Sequence, residues 1–501
     1  MGTTLAFVIL AIGTGGLFYL DRDRRAGNSW ALWLPVAWLW IVGSRPLSAW
    51  LNIWFGIGLS GPQGLDAQLD GSPLDALVAL ILLLAGIAVL LRRRRQTASL
   101  LRGFAPLYIY FAYCLLSCLW SPFIDVAFKR WTKAIGDLVM VMVIVTDPRP
   151  IAALHRLFSR VGFVLLPASI FMIRYTMWGR GFDPDGSPTN TGVTTNKNML
   201  GLITFVIALG ALWNCIELLR SKPSRNRNRR LVAQVVLLAF SIAVLQQAHS
   251  STSIASFIFG GFMIAATNLP FFRRSPKRVQ ALFMTVILLG GVFYLLGGEA
   301  TVAHALGRQP NLSDRTKIWA AVIPVCPNPI IGGGFESFWN GYGKYVTGSL
   351  SRYERGLDEA HNGYIEVWLN LGWIGVSLIA MLLVTGYFRA CAAFRLSPKV
   401  GSLMLAFVAS SAIYSITESG FRIMTPTWIS LLLVCAGAQS LAISASRESA
   451  ALSGGSLSRN IKTGLKTVPP QPGKEKESLA SVATQVSGFR ISKARSGNGL
   501  I

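Results

Sequence analysis

Charge is scarce in this chain. Only 14% of its 501 residues are Asp, Glu, Lys or Arg, whereas a soluble globular domain carries about a quarter. That shortage excludes an ordinary soluble core. Cysteine is also sparse. Cys114, Cys118, Cys215, Cys326, Cys391 and Cys435 form no Cys-x-x-Cys motif and no Cys/His spacing of the zinc type. Five of the six lie in or beside apolar runs, so Cys326 stands alone in the longest polar loop and closes no disulfide within it. The Gly332-Gly333-Gly334 run is not followed by Gly-Lys-Ser/Thr, which excludes a Walker phosphate loop. The first apolar run lacks a basic leader and an Ala-x-Ala site, so it reads as a retained helix rather than a cleaved signal.

What is present is apolar length. Hydrophobic residues make up 52% of the chain and the mean hydropathy is +0.49. An uncharged apolar run of about 18 residues or more reads as a membrane helix. Such runs fall at 4–20, 29–43, 74–91, 104–120, 133–146, 161–177, 199–219, 231–248, 252–269, 281–297, 364–388, 400–416 and 426–444. The expected fold is therefore all-α: a polytopic membrane protein of 12–13 transmembrane helices, with the membrane domain over residues 1–444. One loop is large, residues 298–363. Residues 445–501 are rich in Ser, Gly, Lys and Arg and read as a disordered tail.

The formal charge is +25, which in a soluble protein would point to nucleic acid. Its distribution points elsewhere. Basic clusters follow the first, third, fifth, seventh, ninth and eleventh apolar runs, for example Arg92 to Arg95, Arg225 to Arg230, and Arg273 to Arg278. Alternation of that kind is the positive-inside pattern. It sets those loops and the tail in the cytoplasm and removes the case for nucleic acid. The remaining loops, 44–73, 178–198 and 298–363, fall on the opposite side. In the last, six basic residues balance six acidic ones, and aromatic residues are frequent. A long loop of that make-up usually folds and carries function.

Four motifs gather on that opposite side. His361-Asn362-Gly363-Tyr364-Ile365-Glu366 begins the eleventh apolar run, and Gly372 and Gly375 follow within it. Asn362 suits a helix N-cap, and an imidazole exchanges protons near neutral pH. The small glycines suit close approach of a neighbouring helix. Arg308 and Arg315 lie upstream, in a stretch that runs through Lys317 to Trp319. Arginine grips phosphate bidentately and keeps its charge, although Arg315 could equally pair with Asp314 or Glu354. Lys197 and Asn198 open the seventh run from the side that topology does not favour for cations. Glu418 closes the twelfth run as a carboxylate at membrane level. Arg130 and Lys133 are further cations on that side.

Taken together and in order, these motifs resemble the O-antigen ligase and Wzy-type polymerase superfamily. The hallmark is similar to His-Asn, nine residues, Gly-x-x-Gly: here His361-Asn362, then Gly372 and Gly375. Arg315 to Trp319, Gly332 to Phe335, Lys197 to Gly201 and Glu418-Ser419 are also similar. The likeness covers residues 100–445 or so. The turn His249-Ser250-Ser251-Thr252-Ser253 lacks the arginine that ligases of this family often carry there, and the whole is similar to ExoQ-like exopolysaccharide polymerization proteins. The resemblance implies a metal-independent glycosyltransferase of the bacterial inner membrane with its site facing the periplasm. Its substrate would be an undecaprenyl-diphosphate-linked oligosaccharide, polymerised without a cofactor, with membrane lipid, a flippase and a chain-length co-polymerase as partners. His361 and Arg315 would be catalytic, His361 as general base or acceptor guide. Arg308, Lys197, Asn198, Asn362 and Glu418 would bind substrate. The alternatives are ligation of a finished glycan to lipid A core or protein, and transport of a lipid-linked saccharide.

Overall fold

The computed structural model describes residues 2–23, 27, 29–57, 71–182, 186–295, 312–343 and 359–464. Its helices are α1 (Thr3–Leu20), α2 (Trp33–Val42), α3 (Leu47–Phe55), α4 (Pro73–Arg92), α5 (Arg94–Leu101), α6 (Ala105–Ser117), α7 (Ile124–Val145), α8 (Pro150–Tyr175) and α9 (Lys197–Arg220). They continue with α10 (Arg225–Ala248), α11 (Ser251–Asn268), α12 (Pro270–Arg273), α13 (Pro276–Leu295), α14 (Leu312–Val322), α15 (Gly363–Leu396), α16 (Pro398–Thr417) and α17 (Pro426–Gly464). Among the described residues the one sheet is a hairpin of β1 (Arg180–Phe182) and β2 (Pro188–Asn190), antiparallel with Gly181 opposite Thr189. The protein is an all-α polytopic membrane protein.

Each of the thirteen expected apolar runs falls on a helix. Eight described helices are long and apolar enough to cross a membrane, or nine if α5 and the segment Ala105–Trp120, bent by 87°, make one span. Two of the other expected spans are shorter or more polar. Helix α2 has ten residues. Helix α7 begins at Ile124, earlier than the apolar run, and takes Arg130, Lys133 and Asp137 into the protein interior. Helix α17 runs through Gly464, well into the stretch expected to be a tail. Residues 465–501, Arg308 and much of the 298–363 loop lie outside the described residues.

Local chemistry starts the helices where the sequence changes character. Ser72 accepts the Asp75 amide while Asp75 accepts that of Ser72, a capping box at the head of α4. Asn196 caps α9, and Ser224 caps α10. Helix α9 is the hub of the packing. It is apolar all round, almost wholly buried, and lies against α8, α10, α11 and α16. Helices α1 and α4 sit at the rim with mostly exposed apolar faces, as lipid-facing helices do.

The basic loops are tied together at one end. Arg230 pairs with Asp23 at 3.2 Å, Lys399 with Glu217 at 2.8 Å, and Arg93 with Asp147 at 3.7 Å. Arg220 binds Asn268, and Arg389 binds the carbonyls of Gly103 and Cys435. At the other end, Arg45 donates to the carbonyls of Gly192 (2.7 Å) and Trp178 (2.6 Å), and Asn190 to that of Gln247 (3.0 Å). The loops that alternate along the sequence thus segregate in space.

Helix α15 departs from the uninterrupted helix that the sequence suggests. Gly372 has φ +64° and breaks it. The segment 329–334 lies in the break and exchanges main-chain bonds with it. Gly333 and Gly334 donate to the carbonyls of Leu369 (3.0 Å) and Asn370 (2.9 Å), and Trp373 donates to that of Pro329 (2.9 Å). A Cβ on Gly372 would come within 2.2 Å of the Ile330 carbonyl, and one on Gly332 within 2.4 Å of that of Asn370. The close neighbour that Gly372 admits is therefore a loop backbone, and the glycine run exists to reach it.

Candidate active site

The site forms where the ends of α9, α14 and α16 meet the start of α15. Glu418, one residue beyond α16, is its centre. Its carboxylate is almost wholly buried. Oε1 accepts from Arg315 of α14 at 2.6 Å, and Oε2 accepts from Asn198 of α9 at 3.2 Å and lies 3.2 Å from His361 Nδ1. Its carbonyl accepts the amides of Gly363 (3.0 Å) and Gly420 (2.9 Å). Four segments far apart in sequence thus converge on one carboxylate. The Arg315 pairing is long-range in sequence.

His361 stands between two carboxylates. Its Nδ1 is 3.1 Å from Glu359 Oε1 as well as 3.2 Å from Glu418 Oε2. The residue has φ +49°, a left-handed conformation uncommon outside glycine. Asn362 fixes the next residue: its Oδ1 accepts the amides of Tyr364 (2.9 Å) and Ile365 (3.1 Å), and its Nδ2 donates to the Ile416 carbonyl (2.9 Å). Asn362 thus caps α15 and ties it to α16. Burial disfavours the charged imidazole, but the Glu359 carboxylate, and after it Glu418, outweigh that and hold the His361 pKa up at about 10. Burial likewise opposes the Glu359 anion, and His361 outweighs it and holds that carboxyl well below the usual range. The pair is an imidazolium and a carboxylate across the neutral range.

Of the residues singled out in the sequence, the structure sets His361, Arg315, Asn198, Asn362 and Glu418 together. Lys197 opens α9 beside Asn198 and is half-buried. Arg308 lies outside the described residues. Arg130 is not available as a surface cation: it is fully buried and donates to the Glu336 carbonyl and, at 3.4 Å, to Asn340. The turn at His249 packs by hydroxyls, with Thr252 bonded to Thr417 at 2.8 Å just before Glu418.

Several residues were missed. Glu359 is one, two positions before the histidine. Its carboxylate, His361 and Glu418 set their ligand atoms within 4.8 Å of one another, a spacing that suits a divalent cation. Arg315 already occupies Glu418, and His361 directs the same nitrogen at both carboxylates. A second missed set lies just beneath. Arg422, almost fully buried, donates to Glu336 at 3.1 Å, and Asp137 accepts from Trp38 (2.8 Å) and from the Met424 amide (3.0 Å). These bonds lock the 418–425 turn to α7 and to the loop that fills the break at Gly372. No short-range pattern announces such pairs.

Residues 199–380 match the family model described as O-antigen ligase, a span that takes in Arg315 and His361 and ends before Glu418. Over those residues the chain resembles the O-antigen ligase and Wzy-type family. It is similar to the exopolysaccharide production protein ExoQ of Rhizobium meliloti (strain 1021). The two are 21% identical over 371 residues, which cover 71% of this chain and 81% of the relative. The family supports a polymerase or ligase role in polysaccharide synthesis.

Proposed function

We propose that this protein is an extracytoplasmic polysaccharide polymerase. It joins oligosaccharide repeats carried on undecaprenyl diphosphate, at the end of the helices opposite the basic loops. The observation that carries the reading is the convergence on Glu418 of an arginine, a histidine and an asparagine from three separate helix ends. Glu418 orders Arg315 and His361. A departing diphosphate develops charge that fixed cations stabilise. Arg315, His361 and Lys197 supply them, with Arg308 as a further candidate from the sequence.

In the transfer, an acceptor hydroxyl attacks the anomeric carbon of the donor sugar. The bond to the diphosphate oxygen breaks and its electron pair leaves with the diphosphate. The hydroxyl proton leaves to water, and the His361 imidazolium, held by Glu359 and Glu418, guides the acceptor. Direct attack inverts the anomeric centre. His361 thus acts as the acceptor guide rather than as a neutral base. No metal takes part, so a chelator should leave the rate of purified protein unchanged; a loss restored by a divalent cation would assign Glu359, His361 and Glu418 to a metal instead.

The family description favours one second reading, transfer of a finished glycan by a ligase. Deleting the gene and sizing the cell's polysaccharide separates the two. Lost polymer with accumulated single lipid-linked repeats supports the polymerase; long polymer that is no longer attached to lipid or protein supports the ligase. His361→Ala should fail to restore the product at normal membrane levels. Arg315→Lys should lower the rate by roughly tenfold to a hundredfold, because a point charge replaces a planar fork. Full activity in both variants would remove this site from the reaction.

A further inference from the structure

Between Glu359 and His361 lies Ala360, a fully buried residue held from both sides. Its amide donates to Glu366 Oε2 at 2.9 Å, and its carbonyl accepts from Trp319 Nε1 at 2.8 Å. Glu366 is itself fixed, since its other oxygen accepts from Trp339 (2.8 Å) and Asn370 (3.1 Å). Trp319 lies four residues after Arg315, on the same face of α14. One turn of that helix therefore makes both contacts, Arg315 to Glu418 and Trp319 to Ala360.

We propose that Trp319 and Glu366 are positioning residues that clamp the Ala360 peptide and thereby hold His361 against Glu359 and Glu418. The inference rests on the transfer site described above. On the downstream side the Asn362 cap and the Gly363 amide on Glu418 complete the restraint. Fixed from both directions, His361 adopts its left-handed backbone and aims Nδ1 at two carboxylates. Neither clamp residue touches substrate. Trp319 spends its one polar hydrogen on Ala360, and Glu366 is almost wholly buried.

The test uses the full chain in lipid nanodiscs with ¹⁵N-labelled histidine; the sequence has four histidines. The charged groups acting on His361 are Glu359 and Glu418, with Arg315 on Glu418 and Arg422 acting on Glu359. Trp319→Phe keeps a ring and deletes one donor. Glu366→Gln keeps the shape and sets an amide where three donors need acceptors. Either should let His361 drift from Glu359, so its titration midpoint should fall by at least one pH unit. The turnover rate should fall by roughly tenfold with KM unchanged, as small misplacements of reacting groups do. In a His361→Gln background, Trp319→Phe should cost nothing further. An unmoved titration in Trp319→Phe, or an equal loss in the His361→Gln background, would reduce the clamp to ordinary packing. The titration needs no substrate. A shifted midpoint in a chain whose wild type transfers no sugar would uphold the clamp and overturn the transferase reading.

Discussion

At the scale of single residues, the histidine and its two glutamates decide how the site answers pH. His361 binds its proton more tightly when folded than a free histidine, whose pKa is about 6.5. Its contribution to stability is therefore complete below that value and is lost as pH rises through about 10. Glu359 has the opposite sign. Its contribution is present above the ordinary carboxyl range and is lost in strong acid, as pH falls through the depressed folded value. Thermal unfolding of purified protein should thus show a stability plateau from weakly acidic to neutral pH and a decline on the alkaline side. His361→Gln should flatten the alkaline decline. A decline of equal depth in that variant would place the titrating group elsewhere. The left-handed backbone at His361 is strained, and hydrogen bonds pin both its neighbours.

Among the elements, α15 teaches the most. Its break at Gly372 follows from one glycine meeting the backbone of another segment, and it leaves a half-helix, 363–371, between the site and the break. Gly372→Ala would put a side chain into a left-handed conformation and against the Ile330 carbonyl. The expected cost is about 2–5 kcal/mol, read as a drop in melting temperature and in monodisperse yield. Normal stability would show that the helix can straighten and the loop retreat. The sequence made the capping Asn362, the glycine spacing and the helix ends legible because those signals are local and periodic. It did not reveal the break, which a distant loop backbone creates, or the Arg422–Glu336 and Asp137–Met424 contacts, which join residues 86 and 287 positions apart. Three glycines in a row at 332–334 were the available clue: such a run makes sense where backbone must lie on backbone. Glu359 was readable in principle as a charged neighbour of the histidine, but only folding showed which way it faces.

Over the whole molecule, charge sorts the two ends. The alternating Lys and Arg clusters identified the loops that now bind one another at one end, while the Glu418 cluster lies at the other. The sorting is testable with a membrane-impermeant maleimide. Phe182→Cys, exposed on the hairpin, and Asn226→Cys, exposed at the start of α10, should label from opposite faces of the membrane. Label reaching both from one face would overturn the topology and with it the extracytoplasmic reaction. The burial of Arg130, Lys133 and Asp137 in α7 qualifies the expectation of clean spans. Arg130 reaches the 336–340 loop, and Asp137 reaches the 418–425 turn and Trp38 of α2, so these two charges brace the turn that carries Glu418.

The pairing of Arg315 and Trp319 on α14 also bears on how such a chain can vary. A residue inserted between them would turn the second side chain by about 100° around the helix axis, and the arginine and the tryptophan would then serve different directions. The interval of four is a ruler built into the chain. Related sequences can drift in composition around it, but kin that keep this chemistry should keep that count.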